Sequence, residues 1–455
     1  MARWRADAGS FPDRWPYRCG ITMMDRIVII NDLAHPRGGA SQLALDSAVA
    51  FVRRGYRVTL LCGSDGNESL EREGIEVVAL GMSRLLEGNR ARAMMEGLYN
   101  KRAATMVRQW VTRNDTPRTV YHVHGWSQIL SPAVFSALLP VRGRMIVHAH
   151  DFFFTCPNGA MFHFGRDAPC AARPMGLSCL ASACDRHGIA AKGWRVVRQG
   201  LQNGVLADYP PPLLLIHNGM ARYFSRSGLS ATDMTVLPNP VRPFTPTRIE
   251  AERNRAVLFV GRMEATKGID LAAEACRRAG MTLIAVGTGA MLADLSQRYP
   301  EMEWVGQQEP AAIARFARRA RLAVMPSRHI EPFGLAAVEA LWSGLPVIAS
   351  RDSLIADDIV AAQAGLAVNP RDLDGFAAAL ASLSGDDTLT RRMSIAAHQQ
   401  LGAIALSPES WVEALLDAYQ GYLDHGRPGL FAALRRRRED AWAEPELAVT
   451  VAGGA

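Results

Sequence analysis

The stretch "EPFGLAAVEAL", residues 331–341, sets two carboxylates, Glu331 and Glu339, eight positions apart. Two carboxylates flanking a glycosidic bond can hydrolyse it, and that chemistry needs them roughly 5 to 9.5 Å apart. Pro332 suits the first position of a helix, and the apolar run after it predicts a helix that ends near Gly344. Eight residues of helix rise about 12 Å. The pair is therefore too widely spaced for cleavage and better suited to gripping two parts of one extended ligand. The other charged stretch of interest is "FVGRMEATKGID", in which Arg262 and Lys267 follow an apolar run and Gly268 opens a helix. Two cations at a helix mouth suit a diphosphate, Arg as a planar fork and Lys as a point charge. Gly38 and Gly39 in "PRGGASQL" lie between another apolar run and a helix, where the backbone can approach an anion closely. Their spacing is not the G-x-G-x-x-G of dinucleotide-binding turns, which weakens a nicotinamide reading.

Histidine and cysteine cluster as well. "YHVHG" and "VHAHD" end apolar runs with His122 and His124, and with His148 and His150. Alternation along a strand puts both members of a doublet on one side. Imidazole is the commonest metal ligand, yet a hydrogen-bonded structural role is the more frequent one at a strand end. A contact with the reacting ligand or a role in proton handling is the better assignment for His150. Cys156, Cys170, Cys179 and Cys184 fall within 29 residues, with gaps of 13, 8 and 4 that match no common zinc spacing. A structural zinc clip, a disulfide and free thiols all remain open for them, in a segment of about 151–188 expected to form a flap.

These residues sit at the ends of regularly spaced apolar runs. "RIVII", "RVTLLC", "IEVVAL", "TVYHVH", "MIVHAH" and "LLLIH" read as buried parallel strands alternating with helices, and from residue 256 the pattern restarts with "AVLFVG", "TLIAVG", "MEWVG", "RLAVMP", "PVIAS" and "GLAV". Between the two series "PNPVRPFTP" carries four Pro in nine residues and reads as a linker. The pattern predicts an α/β protein of two Rossmann-like, doubly wound domains facing a cleft. The expected divisions are a disordered extension at 1–23, a first domain at 24–237, a linker at 238–255, a second domain at 256–407, a terminal helix at 408–426 that crosses back to the first domain, and a weakly ordered tail at 427–455.

With 49% hydrophobic and 21% charged residues among 455, the chain has a globular composition. It holds no apolar run of the roughly 18 residues that cross a bilayer, and its first 22 residues lack a secretory signal core. A cytoplasmic location is expected. The formal charge of +7 favours anionic partners, but no aromatic-and-basic motif points to nucleic acid. The run Arg435 to Arg438 suggests peripheral contact with an anionic membrane.

Taken together, "EPFGLAAVE" as E-x₇-E, the "GR…KG" stretch, the "GGA" turn and the two Rossmann-like halves resemble the retaining GT-B glycosyltransferases of family four, over about residues 24–425. The resemblance implies transfer of a sugar from a nucleotide-sugar donor with retained anomeric configuration and no required cofactor or catalytic metal. It implies that Glu331 contacts the donor sugar and Glu339 the ribose. Phe333, Gly334 and Leu335 would offer backbone N–H groups, Arg262 and Lys267 would stabilise the leaving diphosphate, Gly38 and Gly39 would face it from the other domain, and His150 would lie near the reacting centre. Two features depart from the family pattern: the hinge reads "PNPV", which keeps Asn239 but alters the next turn, and the four-Cys insert belongs to a subgroup. The acceptor class implied is a glycan or lipid-linked sugar, in cell-surface polysaccharide synthesis at the inner face of the membrane. The alternatives are a non-catalytic sugar-nucleotide-binding subunit and a GT-B phosphorylase or epimerase.

Overall fold

A computed structural model describes residues 24–84, 90–399 and 404–443. The expected extension at 1–23 and the end of the expected tail lie outside the described residues. The central apolar runs form strands because they are buried on both faces, as a parallel sheet covered by helices requires, while Glu76–Ala79 and Glu303–Gly306 at the sheet edges are at most half-buried. The first sheet contains β1 (Arg26–Asn31), β2 (Arg57–Cys62), β3 (Glu76–Ala79), β4 (Thr119–Val123) and β5 (Met145–Ala149). The insert contributes a small antiparallel ladder of β6 (Phe162–His163) and β7 (Ala168–Pro169), and β8 (Leu213–Leu215) and β9 (Met234–Val236) complete the first sheet. Its order is β3-β2-β1-β4-β5-β8-β9, with parallel pairing throughout.

The second sheet comprises β10 (Ala256–Val260), β11 (Leu283–Val286), β12 (Glu303–Gly306), β13 (Ala320–Met325), β14 (Val347–Ser350) and β15 (Gly365–Val368), in the order β12-β11-β10-β13-β14-β15. Both sheets reverse direction of winding beside their first strand, at β1/β4 and β10/β13. At such a switch point the loops leaving adjacent strands diverge to opposite faces and open a crevice. Two Rossmann-like domains thus present their crevices to each other, which is the GT-B architecture.

The C-terminal segment differs from expectation. Helix Pro408–Ala443 does not end before "HGRPG" but breaks at Gly426 and resumes through Pro428. The two halves lie antiparallel: Gly421 and Gly429 touch through their backbones, and Arg437 meets Asp417 at 2.6 Å and Glu413 at 3.4 Å. Leu430, Phe431 and Leu434 are buried with Trp411, Leu415 and Tyr419 against Ile27, Ile29 and Phe51 of the first domain. "GRPG" therefore marks a turn between two packed helices, and the residues after it are held by apolar burial that only the returning chain supplies. Arg437 is in turn ion-paired on this hairpin and is not part of a free basic tail.

Candidate active site

The loops after β10 and β13 meet at the mouth of the second domain. Ala265–Lys267 forms one 3₁₀ turn after β10, and Gly268 closes it at φ 69°. A Cβ at residue 268 would come within 2.0 Å of the Pro326 carbonyl oxygen, so only Gly lets the two loops approach this closely. Arg328, just beyond β13, then clamps the turn: its backbone N–H donates to Thr266 O at 2.9 Å and its guanidinium pairs with Asp270 at 2.7 Å. His329 Nδ1 lies 3.1 Å from the same Thr266 carbonyl. The clamp delivers Lys267 to Glu331, and their ammonium and carboxylate form a short ion pair.

Ser327 Oγ also donates to Glu331 Oε2 at 3.2 Å, and His329 Nε2 is 3.7 Å from that oxygen. Burial by itself would raise the pKa of Glu331. The Lys267 charge, with His329 and the hydrogen bonds, outweighs it and holds the carboxyl down to about 2. Burial lowers that of His329, leaving its imidazole neutral near pH 7. Glu331 is therefore a fixed, charge-compensated acceptor of hydrogen bonds and a very weak base.

Helix Leu335–Trp342 begins four residues after Glu331, so Pro332 lies in the preceding loop and not at the first helical position. The reason is Gly334, whose φ of 75° turns the chain out of helical geometry. A cavity of about 270 Å³ opens here. Its wall includes Lys267, Ser327, Glu331, Phe333, Gly334 and Leu335 of the second domain, with Gly39, His150 and Asn239 from the first domain and the connecting segment. Gly39 comes close to the opposite wall: a Cβ there would stand 2.8 Å from Leu335 Cδ1 across the cleft.

Seven of the ten sequence-predicted binding and catalytic residues thus line one cavity. Gly38 adjoins it as the N-cap of helix Gly39–Arg53, at φ 94°. Arg262 points away, its side chain 66% exposed and paired with Glu264 at 2.7 Å. Glu339 is buried on helix Leu335–Trp342, whose Ala336, Ala337 and Ala340 form the wall instead. Sequence reasoning missed Ser327 and His329, although both obey the strand-end rule that selected Lys267.

His150 is the cavity end of a buried stack. Its Nε2 is 3.0 Å from His124 Nδ1, His124 Nε2 is 3.1 Å from His122 Nδ1, and His122 Nδ1 is 2.5 Å from the Tyr419 hydroxyl. His148 lies between the rings, 4.3 Å and 8° from His150, and both its nitrogens are buried without a partner. Burial pushes His122 and His150 down to about 3, and holds His124 and His148 well below the ordinary range. Nitrogens of His122, His124 and His148 lie within 4.8 Å of one another. His148 stacks on His122 and His124 at 22° and 30°, while the His122 and His124 rings are tilted by 50° to each other.

The four cysteines do not fit the zinc clip considered for them. Among the described residues, the three histidines above are the one close group of His, Cys, Asp or Glu ligands. Lys192 Nζ instead donates to Cys179 Sγ at 3.4 Å and Cys184 Sγ at 3.3 Å. The insert also reaches the second domain, where Asp167 meets Arg371 at 2.8 Å.

Comparison with known proteins agrees with this architecture. Residues 38–240 match the family model of the glycosyl transferase 4-like domain, and residues 245–400 that of the glycosyl transferases group 1. Glycogen synthase of Mycobacterium tuberculosis is 29% identical over 276 residues, covering 56% of this chain, which spans 64% of that protein's length. Among solved structures, sucrose-phosphate synthase from Thermosynechococcus elongatus superposes with a TM-score of 0.63 at 16% identity, over 88% of this chain and 99% of the other. Anabaena Alr3699/HepE in complex with UDP-glucose gives 0.58 at 16% identity, over 92% and 100%. The chain thus has the GT-B fold, and its two halves are similar in turn to the glycosyl transferase 4-like and glycosyl transferases group 1 models.

Proposed function

We propose that this protein is a retaining glycosyltransferase that moves a sugar from a nucleotide-sugar donor to a glycan or glycolipid acceptor in cell-surface polysaccharide synthesis. The observation that carries the reading is the Lys267–Glu331 ion pair on the cavity wall, beside Gly334 and Leu335 at a helix start. Donor diphosphate charge suits Lys267 and the free N–H groups of that helix end, since both are positive and already oriented. As the sugar–phosphate bond breaks, charge grows on the diphosphate, and a preorganised cation there stabilises the transition state more than the ground state. Glu331, with its charge compensated, grips sugar hydroxyls. A carboxyl held at about 2 is a poor base for drawing a proton from an acceptor, which supports attack from the donor face with retained configuration.

His150 would face the reacting centre as a neutral ring, and Glu339 would reach the ribose as the cleft closes on its donor. Arg262 would join Lys267 at the diphosphate by leaving Glu264, a surface pair worth little. A lipid-linked acceptor at the inner face of the membrane is supported by exposed apolar side chains on the first domain. Met95, Leu177 and Ile189 are 70%, 88% and 72% exposed, and Trp194 Nε1 ties helix Ile189–Leu206 to Met94 O at 2.8 Å. Among the described residues no helix is long and apolar enough to cross a membrane.

Thermal stabilisation by UDP-, GDP- and ADP-sugars, followed by proton NMR of the product made with the best donor, tests the reading. Stabilisation by at least one donor and a product with the donor's anomeric configuration are expected. An inverted product would overturn the retaining mechanism, and donor binding without transfer to any acceptor would favour the non-catalytic alternative. Salt-sensitive binding to anionic vesicles is the separate test of membrane contact.

A further inference from the structure

Lys192 is one of three lysines in the chain and is only 2% exposed, an unusual place for an ammonium. It stands in the first turn of helix Ile189–Leu206. Its Nζ reaches Cys179 Sγ at 3.4 Å and Cys184 Sγ at 3.3 Å, and those cysteines are 5% and 3% exposed. Asn158 Nδ2 donates to Cys184 Sγ at 3.4 Å, while the Cys156 thiol donates to Asn158 Oδ1 at 3.2 Å. One amine and three thiols thus share a chamber closed to bulk water, with the amine nitrogen in contact with two sulfurs.

We propose that Lys192 and Cys184 form a covalent modification site, joined through one oxygen as an N–O–S bridge when the protein meets hydrogen peroxide. The Cys184 sulfur attacks the first peroxide, the O–O bond breaks, and a sulfenic acid and one water result. A second peroxide takes one hydrogen from the sulfenic acid and one from the neutral Lys192 amine, is reduced to two waters, and leaves the sulfenic oxygen bonded to nitrogen. Lys192 gives its extra proton to the hydroxide that leaves the first peroxide as the Cys184 thiolate attacks it, which makes the one water and leaves the amine neutral for the second step. The contact of the Lys192 nitrogen with the Cys184 sulfur puts it within reach of the sulfenic oxygen, and a Cys179–Cys184 disulfide is the competing product that the test distinguishes.

The bridge would tie the insert to the helix that supports it. That helix already holds Phe154 O through Gln199 and Gln202, at 3.0 and 2.9 Å. The same insert carries Asp167 to Arg371 of the second domain. Oxidation would therefore stiffen a segment that contacts both sides of the cleft.

The test is peptide mass spectrometry of the full chain, reduced, exposed to hydrogen peroxide, blocked at free thiols and digested. The expected product links the Lys192 peptide to the Cys184 peptide at their summed mass plus one oxygen and minus two hydrogens. Thiol reductant releases it, and the Lys192→Arg variant lacks it while the Cys179→Ser variant keeps it. A disulfide between Cys179 and Cys184, over-oxidised or unmodified cysteines in the wild type, or a zinc ion retained in the native mass spectrum would each overturn the proposal. None of these readouts depends on transferase activity.

Discussion

Acidification should unfold this protein from the inside, through the histidine stack. His122 is fully buried, and its pKa falls from an ordinary 6.5 to about 3 because burial disfavours the charged ring. A depressed histidine leaves the unfolded chain as the better proton acceptor. Stability is then full above pH 6.5 and is lost as the pH falls towards 3. At pH 5 the unfolded state has gained about 1.5 pH units of protonation that the folded state refuses, or about 2 kcal/mol from His122 alone. His124 and His148, shifted in the same direction by the same cause, add to this loss. His150 adds less because part of its ring faces the cavity. Two carboxyls oppose the trend: burial raises Asp151 to about 6 and also raises Asp32, so each prefers its proton in the folded state. Asp151 returns about 1 kcal/mol at pH 5.

The stack should therefore dominate, with a net loss of at least about 2 kcal/mol between pH 7.5 and 5. Urea unfolding at several pH values in that window measures it directly. His148→Phe removes two buried nitrogens that have no partner, and it should flatten the acid slope without breaking a hydrogen bond. Stability that is level or rising towards pH 5, or an unchanged slope in His148→Phe, would refute the reasoning.

Three further outcomes are expected. Lys267→Met should lower the transfer rate by about 10²- to 10³-fold with little change in melting temperature, and donor kinetics alongside thermal unfolding would check it; transfer at the wild-type rate would remove Lys267 from the chemistry. Gly334→Ala should cost about 1 to 3 kcal/mol, since residue 334 sits at φ 75° and the new methyl would lie 2.2 Å from Met325 Sδ, and equilibrium unfolding should register the loss. A chain ending at Gly426 loses the buried side chains of Leu430, Phe431 and Leu434, each worth about 1.5 to 3 kcal/mol, so its melting temperature should drop well below that of the full chain.

Much of this architecture is legible in the residues. The twelve apolar runs, the break near residues 238–255 and the charged residues after strand ends follow from local periodicity, because a buried parallel strand must be apolar throughout. β9 was not legible, since "MTV" is three residues with no pattern of its own and forms a strand only beside β8. The helical hairpin around Gly426 escaped for a related reason. "GRPG" reads locally as an end, and only the first domain's apolar face gives the following residues somewhere to fold.

The site divides along the same line. Sequence determined which groups stand at the crevice, because residue type and strand-end position are local properties. Tertiary structure decided their partners. It brought Lys267 onto Glu331 from 64 positions away, turned Arg262 outward onto Glu264, and set Lys192 between two cysteines. Such choices depend on how two loops pack and on which charges are taken from water together, and no short window of sequence contains that information.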